Sequence, residues 1–204
     1  MRKIVSIVLS AMLLLTLLPV QNAFADDITG IALETEMRAM VEKGIIQGYE
    51  DGTYAPGEKV NRGQFATFLM RALNLPSGDS TFSDVPASSK LAEGINAAAA
   101  VGIVSGYSNN IFKPEQKIAR VEMAAMIDRA LDYLGAKKTQ GALNFTDANQ
   151  ISSSTFRLAV MNMVGLKIIN GFPDGDGYAF KPAQDATRAE AAAFIYRMLN
   201  VFER

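Results

Sequence analysis

Arg62, Arg120 and Arg188 are the residues of this chain whose type and spacing best suit them to chemistry. Each opens an apolar segment and follows a glycine-aromatic pair: Gly48-Tyr49, Gly106-Tyr107 or Gly171-Phe172. The step from glycine to arginine is 14 residues in the first two cases and 17 in the third, so the third turn carries an insertion. A guanidinium is a planar, permanently charged fork that matches a carboxylate bidentately. A helix N-terminus adds unpaired amides and the positive end of a dipole. Arginine at a helix start therefore aims two positive features at one anion. The glycines, Gly48, Gly106 and Gly171, would let backbone approach a ligand with no side chain in the way. Tyr49, Tyr107 and Phe172 offer a flat apolar surface to a ligand, or alternatively pack internally. The structural alternative for the arginines is salt bridging, and for the glycines a turn or close packing.

Other chemistries have few materials. The chain of 204 residues has no His, no Cys and no Trp. That removes the commonest general base and metal ligand, thiol catalysis, Ser-His pairs and disulfides. Carboxylates such as Asp84 and Glu122 keep a two-carboxylate glycan hydrolase as an alternative class, although neither stands apart by position. Asp174-Gly175-Asp176-Gly177 hints at a calcium loop, but no Glu lies close enough downstream to complete one, and it reads as an elongated turn. No metal or cofactor is expected.

Helices must position the three arginines. After Arg62, the residues Phe65, Phe68, Leu69, Ala72 and Leu73 fall at i, i+3, i+4, i+7 and i+8. Met123, Met126, Ile127, Ala130 and Leu131 repeat the stripe, and Ala191, Phe194, Ile195, Met198 and Leu199 repeat it again. Such short helices are marginal alone, so the stripes must bury against one another. Thr187-Arg188-Ala189-Glu190 is a capping box, with Glu190 as cap rather than acid. Asn61-Arg62-Gly63-Gln64 is the same device. Ala119-Arg120-Val121-Glu122 keeps Glu122 but has a poor N-cap, so that helix start should fray more. A further helix precedes each glycine turn, over about 34–43, 91–101 and 155–166. Arg71, Arg129 and Arg197 recur mid-helix and read as interface or surface salt bridges. Met37, Met40, Met161 and Met163 read as core filling.

Residues 1–25 read as a cleavable export signal, with a retained membrane anchor as the alternative: Arg2 and Lys3, an apolar run from Ile4 to Val20, and Ala23-Phe24-Ala25. Cleavage would leave 18 basic against 21 acidic residues. Nothing there favours nucleic acid or an anionic membrane surface, so any anion site must be local. No membrane span is expected after cleavage.

The three units resemble S-layer homology repeats. The family pattern is Phe-x-Asp-Val, a helix, a Gly-Tyr-x-Asp-Gly-x-Phe-x-Pro turn, then Thr-Arg-Ala-Glu opening a second helix. Thr187-Arg188-Ala189-Glu190 fits the last element letter for letter. Gly48-Tyr49-Glu50-Asp51-Gly52-Thr53-Tyr54-Ala55-Pro56 fits the turn, while Phe82-Ser83-Asp84-Val85 and Phe145-Thr146-Asp147-Ala148 fit the introduction. The resemblance implies an all-α fold, with units over 26–76, 81–135 and 144–204 as a pseudo-threefold spindle around a central three-helix bundle. It implies a non-catalytic, secreted anchor at the cell wall or S-layer, compatible with a monomer. Its partner would be a secondary cell-wall polysaccharide attached to peptidoglycan, often ending in pyruvylated N-acetylmannosamine, held in grooves between repeats. By motif the ligand contacts would be Arg62, Arg120, Arg188, Gly48, Gly106 and Gly171, with Asp84 and Asp147 at the introductory Asp position. The alternatives are a surface enzyme on wall glycan, the anchoring fragment of one, or a protein–protein scaffold. The chain departs from the family in lacking Trp after the introductory Asp. In the first unit Phe24-Ala25-Asp26 aligns with the introduction, and Asn-Arg-Gly-Gln replaces Thr-Arg-Ala-Glu.

Overall fold

The computed structural model describes residues 26–79 and 82–202. The expected export signal, 1–25, lies outside the described residues. Six helices alternate short and long: α1 (Glu34–Glu42), α2 (Arg62–Leu73), α3 (Ala92–Ala100), α4 (Arg120–Tyr133), α5 (Ser154–Gly165) and α6 (Arg188–Phe202). The only strands among the described residues are β1 (Phe172–Asp174) and β2 (Gly177–Ala179). They pair antiparallel around Gly175 and Asp176. The acidic Asp174–Gly177 stretch is thus a hairpin tip, made from the insertion in the third unit.

The long helices begin where the arginines stand, and their stripes are buried. Phe65, Leu69, Met123, Ile127, Ala191 and Ile195 are fully enclosed. α6 touches both α2 and α4, while each long helix packs against the short helix of the next unit: α2 on α3, α4 on α5, and α6 back on α1. The architecture is the expected all-α, three-unit spindle, and its last contact closes a ring.

A small cycle of backbone hydrogen bonds marks the centre of that ring. Val60 N–H donates to the Ala186 carbonyl (2.9 Å), Ala186 to Ile118 (2.9 Å), and Ile118 back to Val60 (3.0 Å). All three side chains are buried. Each residue sits two positions before a motif arginine. One turn of the cycle therefore aligns three helix starts at once.

Helix capping follows the sequence where cap chemistry is present. Asn61 accepts from Gln64 N–H (2.7 Å) while Gln64 accepts from Asn61 N–H (3.0 Å). Thr187 and Glu190 do the same. At α4 only half the box exists: Glu122 accepts from Ala119 N–H (3.1 Å), and Ala119 has no acceptor to return. The expected fraying has a counterweight, because neighbouring carbonyls take the first amides. Arg120 N–H donates to Gln184 O and Val121 N–H to Pro182 O. Met37, Met40 and Met163 fill the core as expected, but Met161 is only half-buried.

Candidate functional site

The structure brings every motif arginine to a cleft between units, and always against the turn of the following one. Arg62 reaches the second unit: Nε donates to Phe112 O (3.1 Å) and Nη2 to Ser105 O (3.2 Å). Arg120 reaches the third, with Nε on Phe180 O (2.8 Å). Arg188 closes the ring onto the first, with Nε on Tyr54 O (2.6 Å) and Nη2 on Gln47 O (2.7 Å). Arg62 therefore faces Gly106, Arg120 faces Gly171, and Arg188 faces Gly48. These pairings cross unit boundaries, and no local motif discloses them.

All three arginines are deeply buried, at 3–4 % exposure. Aromatic faces complete their surroundings. The Arg62 guanidinium lies 4.8 Å from the Tyr107 centroid and 4.9 Å from that of Phe112. Arg120 lies over Phe172, Phe180 and Phe194, and Arg188 over Tyr49 and Phe68. Burial pushes the Arg120 and Arg188 guanidinium pKa values below their ordinary level. Glu190 opposes that shift at Arg120; Tyr49, Glu58 and Asp27 oppose it at Arg188. Guanidinium tolerates such burial because it is weakly hydrated and stacks well.

The Arg62 and Arg120 clefts enclose measurable space. One of about 110 Å³ is lined by Arg62, Gly106, Tyr107, Glu122, Arg129 and Phe156, among others. A second of about 170 Å³ is lined by Arg120, Gly171, Phe172, Glu190, Arg197 and Leu33, among others. An open, largely apolar shelf of about 420 Å³ adjoins it, sharing Leu33, Gly171, Phe172 and Glu190 and continuing over Ile31 and Pro56. Tyr49 and Tyr107 keep 38 % and 39 % of their surface exposed, enough to present a ring to a ligand.

One expectation about the site is corrected, and the structural reading of the glycines is supported. The helix-start amides are not free for an anion. Arg62 N–H donates to Gln116 O and Gly63 N–H to Pro114 O, and Arg188 and Ala189 donate likewise to Glu58 and Pro56. Ring closure satisfies these orphan donors internally. The glycines, in turn, are required by their own chain. A Cβ on Gly106 would stand 2.5 Å from the Phe82 ring and 2.7 Å from Ile111 O; on Gly171 it would meet Phe145 at 2.8 Å. Gly171 also has a positive φ of 74°.

Asp84 and Asp147 are brought to the turns rather than aimed at the clefts. Asp84 accepts from the amides of Phe112 (2.8 Å) and Lys113 (2.7 Å), and Asp147 from those of Phe180 (2.8 Å) and Lys181 (2.7 Å). Each clamps a residue in the left-handed region, Lys113 or Lys181. Partial burial would raise the Asp84 pKa, but its amide hydrogen bonds outweigh that and hold it below the usual carboxylate value. The first unit uses Asp27, which accepts from the amides of Tyr54 and Ala55. The alignment through Phe24-Ala25-Asp26 is therefore out by one: Asp26 instead pairs with Arg38 (2.8 Å). Without an introductory Phe in that register, the Tyr54 ring lies against Gly48.

Of the recurring Arg71, Arg129 and Arg197, expected to form interface or surface salt bridges, Arg197 does so across a unit boundary, and Arg129 and Arg197 also stand beside clefts. All three donate to an isoleucine carbonyl of their own unit, Ile45, Ile103 or Ile168. Among them only Arg197 makes an ion pair with a described residue, Glu36 at 2.6 Å. Each stands nine residues after a motif arginine.

With this geometry established, comparison with known proteins gives the family. The S-layer homology domain model matches three segments, 26–66, 81–124 and 144–192. The chain belongs to the S-layer homology family, whose members are cell-wall-binding modules of the cell surface. It is 37 % identical over 170 residues to an amylopullulanase of Thermoanaerobacterium thermosulfurigenes, covering 80 % of this chain and 9 % of that protein. It is 32 % identical over 181 residues to an S-layer protein of Bacillus licheniformis, covering 85 % and 19 %. A surface layer protein of Brevibacillus choshinensis is 31 % identical over 143 residues, covering 65 % and 13 %. The chain thus spans less than a fifth of the length of each of these relatives. No helix among the described residues is long and apolar enough to cross a membrane.

Proposed function

We propose that the chain anchors to the cell wall by binding an anionic secondary polysaccharide, with a pyruvylated terminal sugar as the charged group, and that it does so without catalysis. The observation carrying this reading is the repeated set of buried guanidiniums at inter-unit clefts, each beside an exposed or half-exposed aromatic ring. A pyruvate ketal supplies a carboxylate for the guanidinium, and the pyranose face suits Tyr49, Tyr107 or Phe172.

The absence of catalysis is part of the proposal. The cleft carboxylates already have work: Glu122 holds Arg62 and the Ala119 amide, while Glu190 holds Arg120 and the Thr187 amide. Two-carboxylate hydrolysis needs one acid free to donate a proton and one base or nucleophile facing the same bond. The S-layer relatives support anchoring, and the short share of the amylopullulanase that matches suits a role as its anchoring region.

The test is co-sedimentation with purified cell walls before and after acid extraction of the secondary polymer. Binding should disappear with the polymer, and no soluble sugar should be released. Undiminished binding to extracted walls would refute the reading.

A further inference from the structure

The three clefts are unequal in charge, because one unit exchanges a carboxylate and an amide. Position 64 opens the comparison: the first unit has Gln64, where the others have Glu122 and Glu190. Six residues earlier the order reverses, with Glu58 against Gln116 and Gln184. The tyrosine hydroxyl follows the carboxylate: Tyr107 donates to Glu122 (2.9 Å), whereas Tyr49 donates to Glu58.

The exchange changes what each arginine finds. Arg62 pairs with Glu122 at 3.2 Å, and Arg120 with Glu190 at 3.1 Å. Arg188 has no carboxylate within 4.0 Å among the described residues, since Gln64 occupies the corresponding place and Glu58 is held on the exposed turn by Tyr49. Arg188 is only 3 % exposed, and its Nη1 has no acceptor among the described residues. Only the more distant charges of Glu58 and Asp27 compensate it, so an incoming anion at the guanidinium edge would be favoured. Where a glutamate already occupies that place, the ligand must compete with it. The mid-helix arginines extend the ranking. Arg197 beside the Arg120 cleft is paired with Glu36, while Arg129 and Arg71 make no ion pair among the described residues.

We infer that the cleft between the third and first units, built on Arg188, Gln64 and Tyr49, is the principal anion site. The Arg62 cleft ranks second, and the Arg120 cleft, with both its arginines neutralised, ranks last. This rests on the proposed binding of an acidic sugar and adds which cleft does it.

The test uses the methyl glycoside of 4,6-O-pyruvylated N-acetylmannosamine, titrated into 15N-labelled protein. The amides of Gly48, Gly106 and Gly171 report one cleft each. Gly48 should shift at the lowest concentration, then Gly106, then Gly171. Gln64→Glu should weaken the Gly48-reported affinity tenfold or more. Its fold is protected, because glutamate makes the same backbone cap at Glu122 and Glu190. Glu122→Gln should strengthen the Gly106-reported affinity several-fold. Equal affinities at the three glycines, or no effect of Gln64→Glu, would overturn the ranking and leave sugar binding intact. No shift at any glycine would overturn both.

Discussion

The clefts built on Arg62 and Arg188 share their backbone and differ in their charges. In both, Nε and Nη2 of the arginine hold two carbonyls of the next unit, and a half-exposed tyrosine lies under the guanidinium. In one a glutamate completes the arginine; in the other it does not. The buried arginine thus has two separable duties. Its inner donors tie the ring together. Its outer edge is neutralised by the protein in one cleft and left for a ligand in the other.

Truncating the two arginines gives the largest expected contrast. Arg62→Ala removes the counterion of Glu122, which keeps its Ala119 and Tyr107 donors, and leaves two carbonyls unpaired; it should cost about 3 kcal/mol by urea unfolding, at the low end for a broken buried pair. Arg188→Ala strands carbonyls without a paired carboxylate and should cost about 1–3 kcal/mol. Equal losses would erase the distinction between the clefts.

The turn glycines give the next effect. Gly106→Ala forces a methyl into Phe82 and Ile111 O and should cost about 1–3 kcal/mol. Gly48→Ala should cost less, because its tightest contact is 2.9 Å, to Thr53 O, and Tyr54 stands 3.3 Å away. The reverse order in thermal unfolding would show that these contacts do not set the cost.

Acid should act through the Asp84 clamp. Its folded pKa lies below the unfolded value, so its stabilisation is complete above about pH 4 and is lost as pH falls through the lower folded value. Asp84→Asn should flatten that acid limb in a series of urea midpoints. An unchanged slope would mean that another carboxylate controls it.

The smallest effect concerns the helix starts. Ala119→Ser supplies the missing half of the α4 box and should add about 0.5–1 kcal/mol, while Thr187→Ala should remove about 1 kcal/mol. If neither substitution moves the midpoint, the cross-unit carbonyls alone hold the helix ends.

The residue types already determined a great deal. Periodicity at 3.6 residues located the long helices, because burial of one stripe is the condition for a short helix to exist. The observed short helices, Ala92–Ala100 and Ser154–Gly165 among them, fall within a residue of the expected bounds. The triplicated arginines stand at the junctions between units, where each donates to a carbonyl of a neighbouring turn. The paired exchange of Glu58 and Gln64 against Gln116 and Glu122 was also written in the chain, but had no meaning until Tyr49 and Tyr107 were seen bonding to its charged member.

Tertiary structure alone decided which turn each arginine meets, because those contacts join residues 43 to 141 positions apart. It also decided that the helix-start amides bond across units while the turn glycines pack within their own. An unpaired donor or an open backbone can be read locally only as available. Whether a carbonyl from another unit, or a ring such as Phe82, has already claimed it depends on how the chain closes.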